Sequence, residues 1–200
     1  MATSKGELSK DAPTNPRGIP FAPFVDKVED YVTSRAEVES TLRNFQEMIS
    51  KYQFMEVNNQ RRASGLRDKI PDIEKTLEMV RFLKRRKPDS DPLETTFELN
   101  DTLYAKAEVP RTEEVYLWLG ANVMLSYPIP EAESLLESRL TTAQTSLTNC
   151  EEDLDFLREQ ITTMEVATAR VYNWDVMQRR KENAEGKDSK EIDPEKAPNG

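Results

Sequence analysis

VYLWLGANVMLSY, residues 115–127, is the stretch whose reading decides the fold. VYLWL (115–119) and NVMLSY (122–127) flank Gly120-Ala121 and read as a strand, a turn and a strand. The first run is apolar at consecutive positions, so both faces of that strand require cover. Just upstream, TTFEL (95–99), a turn at Asn100-Asp101 and LYAKAEV (103–109) read as another hairpin. In it Leu103, Ala105, Ala107 and Val109 alternate with Tyr104, Lys106 and Glu108, which is strand periodicity. Residues 110–114 connect the two. Two-stranded sheets of this size are marginal alone, so these strands are expected to pair with strands of other chains. The expected assembly positions are Phe97, Leu99, Leu103 and Val109 in the first hairpin. In the second they are Val115, Leu117, Trp118, Leu119, Val123 and Leu125.

Outward from the hairpins, both flanks carry heptads. From position 28 to 84, steps of three and four pass through seventeen positions, thirteen of them apolar, including Val38, Leu42, Phe45, Ile49, Tyr52, Leu77 and Val80. A run this long in one phase predicts a coiled-coil helix. Glu56 and Asn59 break the seam, either as local looseness or as a polar pair that fixes register. Pro71 lies inside the pattern and should kink or restart the helix, with the stripe resuming in phase. After Pro130 a second seam runs from Leu136 to Val171, with ten of eleven positions apolar. Pro130 and Glu131 suit a helix first turn. Two matched stripes joined by a short link favour an antiparallel helical hairpin within one chain. The expected fold class is α+β, mainly α: a long antiparallel coiled-coil hairpin with two β-hairpins between its helices. The expected divisions are a disordered tail over 1–20, helix one over 21–88, the hairpins over 89–130, helix two over 131–182 and a disordered tail over 183–200.

The composition narrows the function. Of 200 residues, 36% are hydrophobic and 32% charged, which suits helices needing one narrow apolar stripe. A net charge of −9 argues against binding along a phosphate backbone, so no nucleic-acid partner is expected. The chain has no histidine, which excludes Ser/His/Asp and Cys/His catalytic sites, and its single cysteine, Cys150, excludes an internal disulfide and a zinc cluster. Cys150 falls on a seam position and reads as a small apolar core residue. Gly65 and Gly120 stand alone, so no phosphate-binding loop is present. The acidic run Glu151, Glu152, Asp153 and Asp155 reads as a solvent face of helix two rather than a cation site. Basic residues at 81–87 and 179–181 read as helix C-terminal charges that offset the dipole. No enzyme, cofactor, metal or membrane partner is expected. The lack of a secretory signal and of an apolar spanning run points to the cytoplasm, with the nucleus as a second compartment it could share.

Antiparallel pairing would bring the start of helix one beside the end of helix two. Phe21, Phe24, Val25, Val28 and Tyr31 would meet Val171, Tyr172, Trp174, Val176 and Met177. These apolar residues exceed what one seam absorbs. They either staple the tip shut or form a surface for weak contacts with client chains.

The layout of a long helix, two hairpins and a second long helix resembles the alpha class of the prefoldin family. LWLGANVML (117–125), IPDIEKTLEMV (70–80), EEDLDFLREQ (151–160) and ARVYNWDV (169–176) are similar to segments of that family. The resemblance covers about residues 20–182. It implies a heterohexamer of two alpha-class and four beta-class subunits, with the hairpins forming a shared β-barrel. It implies an ATP-independent co-chaperone whose tips capture unfolded actin and tubulin and deliver them to the group II cytosolic chaperonin. The residues alone also allow a structural coiled-coil tether or scaffold, with the hairpins as a dimerisation cap and the tips docking one defined partner.

Overall fold

The computed structural model describes residues 13–87 and 89–188. In chain order it contains a 3₁₀ turn at Val28–Asp30, α1 (Arg35–Arg85), β1 (Leu93–Asn100), β2 (Leu103–Val109), β3 (Glu114–Gly120), β4 (Val123–Pro128) and α2 (Ile129–Asp188). The expected order of helix, two hairpins and helix is present. Two compact units divide the chain, one built from the N-terminal part to Gln60 together with Glu151 onward, the other from Arg61–Cys150.

In the first unit α1 and α2 run antiparallel, as the Arg35–Asp175 and Glu56–Arg158 ion pairs show. Phe45, Tyr52, Leu157, Met164 and Val171 of the expected seams are fully or almost fully buried together. Segment 13–34, irregular apart from the 3₁₀ turn at Val28–Asp30, adds a third layer to this core through Ile19, Val25 and Val32. That layer corrects two expectations. Residues 13–20, expected as disordered tail, are anchored through buried Asn15 and Ile19, and helix one begins at Arg35 rather than residue 21. Pro20 and Pro23 cannot donate a backbone hydrogen bond, which keeps the segment extended. The helix starts where Glu37 reaches back to accept from the Thr33 N–H (2.9 Å) and hydroxyl (2.8 Å), much as in a capping box. The rest of the expected tail, residues 1–12, lies outside the described residues.

The second helix continues beyond the expected end at 182 to Asp188. No proline intervenes between Pro130 and Pro194, and Glu182, Ala184 and Lys187 are good helix formers. Of the expected C-terminal tail, residues 189–200 lie outside the described residues. α1 runs unbroken through Pro71.

Within the second unit α1 and α2 are antiparallel, as Gln144–Glu74 and the pairs of Arg81 with Glu133 and Glu137 show. Leu77 and Val80 of α1 pack with Ile129, Ala132 and Leu136 of α2 and with Leu117 of β3. The first residue of α2 donates its N–H to the Glu113 carbonyl (3.0 Å), which occupies one donor left open at a helix start. β1 pairs antiparallel with β2, and β3 with β4, as two separate two-stranded sheets. The tight turn of the second hairpin sits at Ala121-Asn122, one residue later than expected. Both residues have positive φ, 48° and 60°, the signature of a type I′ turn that matches strand twist.

Candidate functional site

Two surfaces stand out, one in each unit. In the unit of residues 61–150, β3 shows its alternation. Leu117 is 7% exposed, and Val115 and Leu119 pack beside it on the helices. Tyr116 and Trp118 point the other way and are 69% and 58% exposed. The strand is therefore covered on one face by its own chain and uncovered on the other. The first hairpin has less cover still. Phe97, Leu99 and Leu103 are exposed and Val109 is half-buried. Val123 and Leu125 of β4 are exposed as well. Each of the four strands also keeps one edge without a strand partner among the described residues. Such edges are templates for strands of another chain.

In the other unit the ten expected tip residues have unequal fates, and Val25, Val28, Tyr31, Val171 and Trp174 share one core cluster. Val25 and Val171 are buried, and Val28, Tyr31, Trp174 and Val176 are half-buried. Phe21, Phe24, Tyr172 and Met177 are exposed, Phe24 at 62% and Tyr172 at 59%. The tip is thus both stapled and apolar outside. Trp174 belongs to the staple, since its indole N–H donates to Glu29 Oε1 (3.0 Å). Phe24 lies under the Arg170 guanidinium, 5.1 Å from ring centroid to Cζ, a cation–π placement. Phe21 meets Phe156 edge to face at 4.9 Å.

Polar contacts fix segment 13–34 in place. Asn15 Nδ2 donates to Asp153 Oδ1 (2.8 Å), and Arg17 Nε donates to the same oxygen (2.6 Å). Asn15 Oδ1 accepts from the backbone N–H of Arg17 and of Ile19, closing a small loop around Gly18. The Asp153 hydrogen bond holds the Arg17 pKa above its ordinary value. Farther along, the Ala22 N–H donates to Gln160 Oε1 (2.9 Å) and Arg170 Nη1 donates to the Val25 carbonyl (2.5 Å). Tyr52 donates its phenol to the Pro20 carbonyl (3.1 Å), and burial pushes its pKa up to about 12. At the start of α1, Arg35 donates to Asp175 (3.0 Å), which Arg179 also contacts. These contacts, Arg35 first, hold the Asp175 carboxyl below its ordinary range.

Sequence reasoning missed this anchor. Asp153 is not on a solvent face, as expected, but 7% exposed beneath the segment. Gln160 and Ala167 are buried beside it although neither lies on a seam position. The available signal was the string PTNPRGIPFAPF (13–24), in which Asn and Gly among prolines favour a tight turn and the later residues are apolar. Cys150 is buried, in keeping with its seam position. Among the described residues no group of three or more His, Cys, Asp or Glu gathers to hold a metal, and no helix is long and apolar enough to cross a membrane.

Comparison with known proteins agrees with this architecture. Residues 52–174 match the family Prefoldin, described as "Prefoldin subunit". A protein called prefoldin subunit 3 from Elsinoe fawcettii is 74% identical over 182 residues, covering 91% of this chain and 92% of its own. A probable prefoldin subunit 3 from Schizosaccharomyces pombe is 56% identical, covering 84% of this chain and 96% of its own. The human prefoldin subunit 3 is 47% identical over 84% of this chain and 86% of its own. With a family match over more than half its residues and relatives this similar along nearly their whole length, the chain belongs to the prefoldin family.

Proposed function

We propose that this chain is an alpha-class subunit of a heterohexameric, ATP-independent co-chaperone. Its hairpins join those of a second alpha-class and four beta-class subunits. Its helix ends capture unfolded polypeptide, actin and tubulin among the clients, and pass it to the group II cytosolic chaperonin. It works in the cytoplasm, and the same activity serves the nucleus. It catalyses no reaction and uses no cofactor.

The observation that carries the reading is the exposure of Phe24, Tyr172 and Met177 on a unit whose core is already filled. Apolar groups left outside a completed core suit weak, non-specific contact with unfolded chains. Several such surfaces in one complex raise one another's effective concentration and turn weak contacts into capture. The two hairpins with open edges supply the means of bringing several chains together.

The test replaces these three side chains, Phe24→Ser, Tyr172→Ser and Met177→Ser, in a complex assembled with its partner subunits. Native mass spectrometry should give an unchanged heterohexamer. Suppression of aggregation of denatured actin should fall about tenfold or more, the loss expected when several weak contacts stop acting together. Suppression equal to that of the unaltered complex would remove the tip from the mechanism. A homodimer in the mass spectrum of the unaltered protein would support a tether instead.

A further inference from the structure

We infer that the groove between residues 35–60 of α1 and 151–182 of α2 is a binding site for an extended apolar polypeptide, and that residues 19–32 of the same chain occupy it as a resident ligand which an unfolded client segment displaces. The inference rests on the holdase reading and names how its site is regulated.

The chemistry of the groove is that of backbone recognition. Gln160 accepts from the Ala22 N–H, Arg170 donates to the Val25 carbonyl, and Tyr52 donates to the Pro20 carbonyl. Three long side chains therefore hold main-chain groups of a stretch that, outside one 3₁₀ turn, has no helix or strand of its own. Contacts to main-chain groups carry no sequence information, so any extended chain can make them. The apolar half of recognition comes from holes filled by Ile19, Val25 and Val32. Met48 of α1 and Ala167 of α2 are buried although neither lies on a heptad seam. A two-helix coil leaves such positions at its margin, and here the added segment encloses them with the core.

The occupant looks like a client. IPFAPFV (19–25) is apolar, proline-broken and unable to fold on itself, as an unfolded segment is. It is pinned upstream by the Asn15–Arg17–Asp153 knot and joined downstream directly to α1. A tethered ligand of this kind acts at an effective concentration on the order of millimolar, and so lowers the apparent affinity for any external segment.

The test uses the full assembled complex and a fluorescein-labelled peptide of residues 18–34 as the probe. Asn15→Ala with Arg17→Ala removes the knot. Hydrogen exchange should then show lost protection at residues 19–32, and fluorescence anisotropy should show the peptide binding about tenfold more tightly than to the unaltered complex. A reduced, carboxymethylated protein that stays unfolded should displace the peptide. Adding Gln160→Ala and Arg170→Ala should return binding to the weak level. If the double variant leaves the segment docked, Val25→Asp undocks it by placing a carboxylate at a buried position. An undocked segment with peptide binding no tighter, or binding indifferent to Gln160 and Arg170, overturns the inference. Failure of the unaltered complex to suppress actin aggregation would sink the holdase reading instead, and the peptide titration separates the two outcomes.

Discussion

Segment 13–34 and the two β-hairpins are each short, partly apolar and too small to be stable alone, yet they end differently. The N-terminal segment finds its partners within its own unit. Asp153, Gln160 and Arg170 of α2 meet its polar groups, and Ile19, Val25 and Val32 enter the helix core. The hairpins find only half of theirs. Leu117 is covered by helices, while Tyr116, Trp118, Phe97 and Leu99 are left exposed and every strand keeps an open edge among the described residues. The difference lies in what each segment's partners can supply. A helix can offer long polar side chains to an extended backbone, but only another strand can satisfy a whole row of ladder groups. One unit is therefore closed by the chain itself, and the other leaves strand edges and apolar side chains uncovered among the described residues.

The largest effect expected from that contrast is on assembly. Trp118→Asp places a charge on the uncovered face of β3, where docking of another chain would bury it at a cost of several kcal/mol. The variant should keep the helical circular dichroism of the unaltered chain and fail to enter the heterohexamer on gel filtration. Leu117→Asp differs because Leu117 is already buried on its own helices, so that chain should also lose thermal stability. Normal incorporation of the Trp118 variant would break the comparison.

A core substitution in the other unit sharpens it. Phe45 is fully buried among Tyr31, Tyr52 and Leu157. Phe45→Ala should cost about 3–5 kcal/mol through lost burial and the cavity left behind. Hydrogen exchange should rise across residues 35–60 and 151–182, while entry into the heterohexamer is retained. An equal rise across residues 61–150 would mean the two units open together.

The contrast also explains what could be read from the sequence. The seams were legible because each needs only a local rule, a step of three or four repeated in phase, and Phe45, Tyr52, Leu157 and Val171 are buried where that rule puts them. The hairpins were legible for the same reason: LYAKAEV is β2 residue for residue. The N-terminal segment was not. Its order depends on Asn15 meeting Asp153, partners 138 positions apart, and no periodicity announces such a pair. Residues 28 and 31 continued the seam by spacing alone, but Pro20 and Pro23 and the Glu37 cap delay the helix to Arg35. Of the tip residues, spacing named ten and could not divide them into buried and exposed. Which of them staple and which stay outside follows from the path of the third layer.

The smallest expected effect is on pH dependence at the helix ends. Asp175 accepts from Arg35 and Arg179, and these contacts lower its carboxyl pKa in the folded chain. A group whose pKa falls on folding stabilises the fold above its unfolded value, about 4 for aspartate, and that contribution fades as pH drops below it. Asp175→Asn mimics the protonated state at every pH. At pH 7 the unaltered chain should therefore show slower exchange than the variant over the first turn of α1, where Arg35 is held. As pH falls below about 4 the gap should close, because both chains come to present a neutral side chain to Arg35 and Arg179. Surface ion pairs are weak and screened by salt, so the gap at pH 7 should also shrink at 1 M salt. A gap that persisted unchanged to low pH would show that asparagine disturbs the packing of α1 on α2, not that the lost charge loosens the start of α1.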